Sequence, residues 1–327
     1  MKLLILDADG VFLDERPYWE ASLAVAFGRA DIKIPGGETW QALTRAAFDE
    51  AALQRITKDE GCNSNWDLAA VLDRSLMSPG VRAAVIEALG GGQSATAVRR
   101  LKSAAGKLRA GAAAPALAND PLSRFGIDRR SPGYDAVVTD YQRILREGIA
   151  GQVRRSPLKE TPADTTQALE ECLRAGYNLR VCTGRRRDEI ETAIAVSGLG
   201  ELLPAEAITS ATDVEQAEIE SGQAPLGKPH WFSPVAAAIG FKEALACLES
   251  PGAGPAAFEE IFYAGDSRAD FEAVLGARRM GIAIAYVQVV SPAVSPEDLS
   301  HIARSPVTRG VIAALSGLAP IITRAGS

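Results

Sequence analysis

The sequence has little cysteine, no long apolar run and no excess of positive charge, and each lack excludes something. Its four cysteines, Cys62, Cys172, Cys182 and Cys247, are scattered and form no CxxC pair. Neither a zinc site nor a disulfide framework is indicated, as suits a reducing cytosol. No segment approaches the roughly 20 apolar residues of a membrane span. The opening MKLLIL stops at Asp7, too short for the core of a signal peptide, so a cytoplasmic protein is expected. Net charge is -6, which leaves no global basic field to recruit nucleic acid or an anionic membrane. A phosphorylated ligand would therefore need local positive charge. The only two histidines, His230 and His301, read as structural or surface groups.

What is present is an ordinary globular composition. The 327 residues, 47% hydrophobic and 23% charged, can fill one core and leave room for a second unit. Residues 3–6 form a short continuous apolar run closed by Asp7-Ala8-Asp9-Gly10, which suits a strand buried on both faces. Similar runs follow at 178–182, closed by Thr183-Gly184, and at 205–209, closed by Ser210. Two more lie at 260–264, closed by Gly265-Asp266, and at 282–287, after Gly281. Helical patterns at 165–175, 188–197, 234–248 and 270–279 separate them. Alternating strand and helix predicts an α/β fold with a Rossmann-like, doubly wound parallel sheet.

Residues 16–156 read differently: Ala-rich, mostly helical and without a strand-turn-strand rhythm. Helices are predicted at 18–29, 38–55, 66–76, 81–89 and 134–148. The Gly/Ala-rich stretch 90–118 carries Arg99, Arg100, Lys102, Lys107 and Arg109, and reads as a linker or as a basic helix facing solvent. Asn63-Ser64-Asn65-Trp66-Asp67 is a polar knot, read as a helix cap with Trp66 packed; a sharper reading makes it a specificity loop. The expected organisation is a core of residues 1–15 and 157–327 with an inserted helical cap domain, 16–156. The tail beyond Val290, with the apolar run 311–322, reads as a helix packed on the core or in a homo-oligomer contact.

In open α/β sheets ligands bind outside the carboxyl ends of the strands. Asp7 and Asp9 follow the first predicted strand, Thr183 the second, and Asp266 and Asp270 the fourth, while Lys228 precedes the helix leading to that strand. Four carboxylates, a hydroxyl and an ammonium would meet on one rim. Carboxylates so close repel unless a cation neutralises them, and a hard oxygen-ligand set implies Mg²⁺.

These residues carry a family resemblance. LLILDADGVFLD, from Leu3 to Asp14, resembles the first motif of the haloacid dehalogenase-like (HAD) hydrolases in its phosphatase form, DxDG[TV]xxD. VCTGR resembles the second motif, LGKPHWFSP the third, and FYAGDSRAD the fourth, with its GDxxxD pattern. All four stand in order over residues 1–14 and roughly 157–290. The inserted block matches only as a helical cap in the usual place, and it is longer than the compact caps typical of the family.

The resemblance implies a role for each residue. Asp7 matches the nucleophile that forms an aspartyl-phosphate. Asp9 matches the general acid and base, and family members that dehalogenate carbon substrates lack an aspartate there. Thr183 and Lys228 match the groups that hold the phosphoryl oxygens, helped by the Gly184 amide at a helix start. Asp266 matches a direct Mg²⁺ ligand beside Asp7 and the Asp9 carbonyl, with Asp270 outside the direct ligand set. Arg185, Arg186 and Arg187 open the helix after the second motif and read as solvated residues; a sharper reading has Arg185 touching substrate phosphate or a cap carboxylate. The implied activity is hydrolysis of a small phosphorylated metabolite. A phosphomutase of the β-phosphoglucomutase type shares these motifs, and a catalytically inactive binding protein is the third reading. An insert that begins and ends beside the rim is expected to act as a lid that excludes water and admits only small substrates.

Overall fold

The computed structural model describes residues 1–50, 53–58, 65–111, 121–147, 158–250, 258–292 and 294–324. The chain divides into two compact units, Met1–Glu15 with Ser156–Ser327, and Arg16–Arg155.

The first unit is built on one sheet of six strands: β1 (Lys2–Leu6), β2 (Tyr177–Cys182), β3 (Ile208–Thr209), β4 (Glu260–Gly265), β5 (Ile284–Val289) and β6 (Thr308–Ile312). Their order is β3-β2-β1-β4-β5-β6, and every pair is parallel. Strand side chains alternate between two cores, as the period of two requires. Leu4, Leu6, Leu179, Val181, Phe262 and Val287 pack with residues of helices Pro162–Arg174, Arg187–Val196 and Leu318–Arg324. Leu3, Ile5, Ile261, Tyr263, Ile284 and Tyr286 pack with residues of Ala211–Ser221, Phe232–Ile239, Phe241–Glu249, Arg268–Arg279 and Pro296–Ala303. Each of the four apolar side chains from Leu3 to Leu6 is essentially solvent-free, worth roughly 1.5–3 kcal/mol apiece. The sheet is therefore covered on both sides, the α/β architecture expected from its apolar runs.

Strand order reverses between β1 and β4, and in doubly wound sheets that switch point is where a crevice opens. Leu6 is level with Val181 of β2 and Ala264 of β4. The residues that follow each of these strands are thereby delivered to one edge.

Several predicted elements differ in detail. Only Ile208–Thr209 of the run 205–209 is strand, because Ala205–Ala207, entered from Pro204, forms a 3-10 turn. The helix predicted at 234–248 is two helices, Phe232–Ile239 and Phe241–Glu249, broken at Gly240 with φ +104°. The tail contains a sixth strand that the apolar run 311–322 did not announce. It is followed by the 3-10 turn Leu315–Gly317 and the helix Leu318–Arg324, whose Leu318 and Ile322 enter the core. A Cβ on Gly310 would lie 2.3 Å from Ile321 Cδ1, so the glycine lets this helix lie against β6.

The second unit is helical, with no strand among its described residues. Its helices are Arg16–Arg29, Gly37–Thr44, Arg55–Lys58, Asn65–Leu76, Pro79–Gly90, Ser94–Gly111 and Pro132–Glu147. The helix predicted at 38–55 stops at Thr44 and continues as a π-helical turn, Arg45–Glu50, which carries Phe48 into the core against Trp19. The basic stretch is ordered helix over Ser94–Gly111. Ala97, Val98, Leu101 and Ala105 are buried, and Arg99, Arg100, Lys102, Lys107 and Arg109 lie on its exposed side. Residues 112–118 of that stretch, Cys62, and Asn63 and Ser64 of the polar knot lie outside the described residues.

Trp66 meets Tyr141 edge-on, as a packed cap residue should. Asp67 is fully buried and accepts hydrogen bonds from Tyr134 Oη at 2.6 Å and Arg129 Nη2 at 2.7 Å. Its carboxylate thus joins the helix Asn65–Leu76 to Arg129 and Tyr134 of the same unit. No helix among the described residues is long and apolar enough to cross a membrane.

Candidate active site

The Asp7 amide donates to Ala264 O at 2.9 Å, so its backbone is still tied to β4 one residue past the end of β1. Its carboxylate is buried at the switch point. The chain then turns tightly: Leu13 N–H donates to Ala8 O and Gly10 N–H to Leu13 O, both at 2.9 Å. Gly10 sits at φ +74°, where a Cβ would stand 2.1 Å from Asp266 Oδ2. Glycine is thus required twice, by the turn and by the approach of the second carboxylate. Gly10→Ala should cost about 1–2 kcal/mol in left-handed backbone strain and displace Asp266 as well. Denaturant unfolding reads the first effect and calorimetric titration with a divalent cation the second; no change in either would contradict this account.

Asp266 and Asp270 arrive from the end of β4. Ser267 and Asp270 form a capping box for helix Arg268–Arg279: Ser267 Oγ accepts from Asp270 N, while Asp270 Oδ2 accepts from Ser267 N and Oγ. Asp270 Oδ1 accepts from Lys228 Nζ at 2.7 Å and Tyr263 Oη at 2.9 Å. Asp270 is therefore both a helix cap and the anchor of a lysine. The Lys228 side chain is only 9% exposed, contrary to what a lone lysine suggests, and it also donates to Asp7 Oδ1 at 2.8 Å and Cys182 O at 3.3 Å. Carboxylate oxygens of Asp7, Asp266 and Asp270 all lie within 4.8 Å of one another.

Burial pushes the Asp7 carboxyl up to about 8; Lys228 pulls it down, and Asp270, Asp266 and Asp9 push it further up. Burial would lower Lys228, but Asp270 and Asp7 hold it well above its ordinary value. Burial would raise Asp270, yet Lys228 and the bonds from Ser267 and Tyr263 keep it below the usual carboxylate range. One ammonium is thus shared by two carboxylates, and Asp7 carries the deficit. Clustered, buried carboxylates short of positive charge are a donor set that fits a hard divalent cation.

At the end of β2, Thr183 is buried; its amide donates to Thr209 O at 2.9 Å and its Oγ1 accepts from Arg185 N at 3.2 Å. Gly184 is exposed in a bend, and the helix starts only at Arg187 with Arg186 as its N-cap. The Gly184 amide is therefore not at a helix start, and Thr183 is no helix cap. The three arginines part company. Arg186 is half-buried and pairs with Glu215, Arg187 pairs with Asp213, and Arg185 is buried and pairs with Asp9. Reading all three as solvated was wrong for Arg185, since Asp9 supplies the counter-charge that permits its burial.

Lys159, Tyr263 and Ser267 were not singled out in the sequence. Lys159 Nζ donates to Gly10 O at 2.6 Å and Val290 O at 3.1 Å, clamping the turn after β1. Ser267 had a readable signal, the S-x-x-D spacing of a capping box, whereas Lys159 had none. The two histidines are structural: His230 Nδ1 accepts from Phe232 N, and His301 packs edge-on against Phe271.

No family model and no curated protein matches the chain. Solved structures do. An X-ray structure of a structural-genomics target is 19% identical with a TM-score of 0.64, covering 99% of each chain. A HAD-family hydrolase from Deinococcus radiodurans R1, with bound phosphate and sodium, is 15% identical with a TM-score of 0.45, covering 99% of this chain and 96% of that one. The L-2-haloacid dehalogenase of Xanthobacter autotrophicus is 16% identical with a TM-score of 0.41, covering 98% of each. The likeness to the first of these, at 19% identity, is one of fold alone. The strand order and the helical unit inserted after β1 are the arrangement that the resemblance of the sequence motifs implies.

Proposed function

We propose that the chain is a HAD-like hydrolase that works as a Mg²⁺-dependent phosphatase on a small phosphorylated metabolite. The observation that carries this reading is the buried Asp7 at the switch point, with Lys228 on one oxygen and Asp266 beside it. An Asp7 oxygen attacks phosphorus as the bond to the leaving oxygen breaks, and Asp9 gives that oxygen a proton. Water then attacks the aspartyl-phosphate, Asp9 takes its proton, and Asp7 is restored as inorganic phosphate departs. Thr183 Oγ1, the Gly184 amide and Lys228 Nζ receive the phosphoryl oxygens. Lys228 suits this because Asp270, itself fixed by Ser267 and Tyr263, holds its ammonium in place. Asp7, Asp266 and the Asp9 carbonyl would hold Mg²⁺, which when bound supplies positive charge to the carboxylates and the phosphoryl group.

A panel of phosphorylated metabolites, assayed for phosphate release, tests the reading. Turnover is expected with Mg²⁺, not with EDTA, and poorly with Ca²⁺, which prefers a larger shell. Halide release from haloacids without phosphate release would overturn it.

The raised Asp7 carboxyl gives a pH test. Its ordinary value is 3.8 and its folded, metal-free value about 8, so between the two the folded chain holds a proton that the unfolded chain lacks. That stabilisation is complete below about 4 and is lost as pH rises through about 8. Mg²⁺ must displace the same proton, so the rise in melting temperature at fixed Mg²⁺ should be larger at pH 8.5 than at pH 6. A shift that does not change with pH would count against Asp7 as a ligand.

A further inference from the structure

We infer that Arg185 is a phosphoryl-binding residue parked on Asp9, and that a phosphorylated substrate takes it over and so frees Asp9 for its proton transfers; this rests on the phosphatase reading above. Arg185 is only 3% exposed, uncommon for an arginine in a turn. Its Nε donates to Asp9 Oδ1 at 3.1 Å and Oδ2 at 3.0 Å, and its Nη2 also donates to Oδ1. Both oxygens of Asp9 are therefore turned onto the guanidinium. A leaving oxygen or an attacking water must come within hydrogen-bond distance of the same two oxygens, so the guanidinium competes with it for them. Asp9 acts once that hold is released.

Letting go has a condition. A buried guanidinium that gives up a carboxylate loses counter-charge, and an anion is the ligand that restores it. A phosphoryl dianion meets the condition and matches the planar fork of donors that arginine presents. Position agrees: Arg185 belongs to the same turn as Thr183 and Gly184, and its own amide is tied to Thr183 Oγ1. Another carboxylate that interacts with Arg185 is Glu189, in the helix Arg187–Val196. A guanidinium that moved to Glu189 would release Asp9 without touching substrate.

The exchange makes Asp9 a competitor of phosphate for one guanidinium, and competition is measurable without turnover. Inorganic phosphate is titrated calorimetrically, with Mg²⁺ present, into the unaltered chain, Asp9→Asn, Arg185→Gln and the double variant. A neutral amide holds the guanidinium less tightly than a carboxylate does, so Asp9→Asn should bind phosphate about tenfold more tightly. Arg185→Gln should bind it more weakly. In the double variant the gain from Asp9→Asn should shrink at least about fivefold, the two residues being coupled through the shared ligand. A gain that persists in full would mean simple charge repulsion, and no gain at all would mean transfer to Glu189; either overturns the inference. If the unaltered chain fails to bind phosphate, the phosphatase reading falls and this one with it. Should Arg185→Gln not fold, Arg185→Met, which removes the charge and keeps an apolar stem of similar length, replaces it in the same cycle with the same shrinkage expected.

Discussion

Asp7→Asn should abolish turnover while leaving a folded protein. An amide cannot form the acyl-phosphate, and removing a covalent nucleophile costs at least about 10³-fold in rate. Geometry predicts that the fold will survive. The amide oxygen can still accept from Lys228 Nζ, and the backbone bond from residue 7 to Ala264 O is untouched. Electrostatics predicts more. Asp7 is the carboxyl that burial and its acidic neighbours Asp270, Asp266 and Asp9 disfavour as an ion. Neutralising it relieves that repulsion and leaves Lys228 to Asp270, so the metal-free variant should melt no lower than the unaltered chain at pH 8. Activity within tenfold of the original, in protein free of contaminating phosphatase, would remove Asp7 from the chemistry. A large fall in melting temperature would instead make it a structural aspartate.

The two strands that carry Asp7 and Asp266 were legible because both are central. A strand covered on both faces must be continuously apolar, and residues 3–6 and 261–264 are. The edges were not. β3 contributes two residues, and β6 has Thr308, Arg309, Gly310 and Val311 half-buried or exposed, so neither run has the length or the apolarity that announces a strand. The carboxylates were legible as a set because each follows a strand end, and strand ends share an edge once the strands are parallel. The cations were harder. Arg185, Arg186 and Arg187 are identical letters in a row, yet one is buried on Asp9, one lies half-buried beside Glu215 and one braces Asp213. That difference arises from what the turn after β2 faces, which no local pattern encodes. Lys159 is the same case: its partners, the carbonyls of Gly10 and Val290, are 149 and 131 residues away. In the helical unit periodicity found the helices. It missed the π turn at Arg45–Glu50 and could not say that Asp67 points inward at Tyr134 and Arg129.

Asp9→Asn should divide substrates by their leaving groups. An alkoxide leaves only with a proton, whereas p-nitrophenolate is stable enough to leave almost unaided. Loss of a general acid costs about 10²–10⁴-fold where the proton is needed. The rate of phosphorylation by an alkyl phosphate should fall by that amount, and the rate with p-nitrophenyl phosphate by at least about tenfold less. Water attack on the aspartyl-phosphate also needs a base, so with the aryl substrate the phosphoenzyme should build up and appear as a burst of p-nitrophenolate. The neighbour of Asp9 makes the substitution mild for the fold. The asparagine side chain keeps an oxygen for Arg185 to donate to, and the turn from Ala8 to Leu13 is held by backbone bonds that do not involve the side chain of residue 9. Rapid-quench measurement of the first step with both substrates decides the matter. Equal losses would mean that residue 9 orders the site without carrying a proton, and the acid would have to be sought elsewhere on the rim.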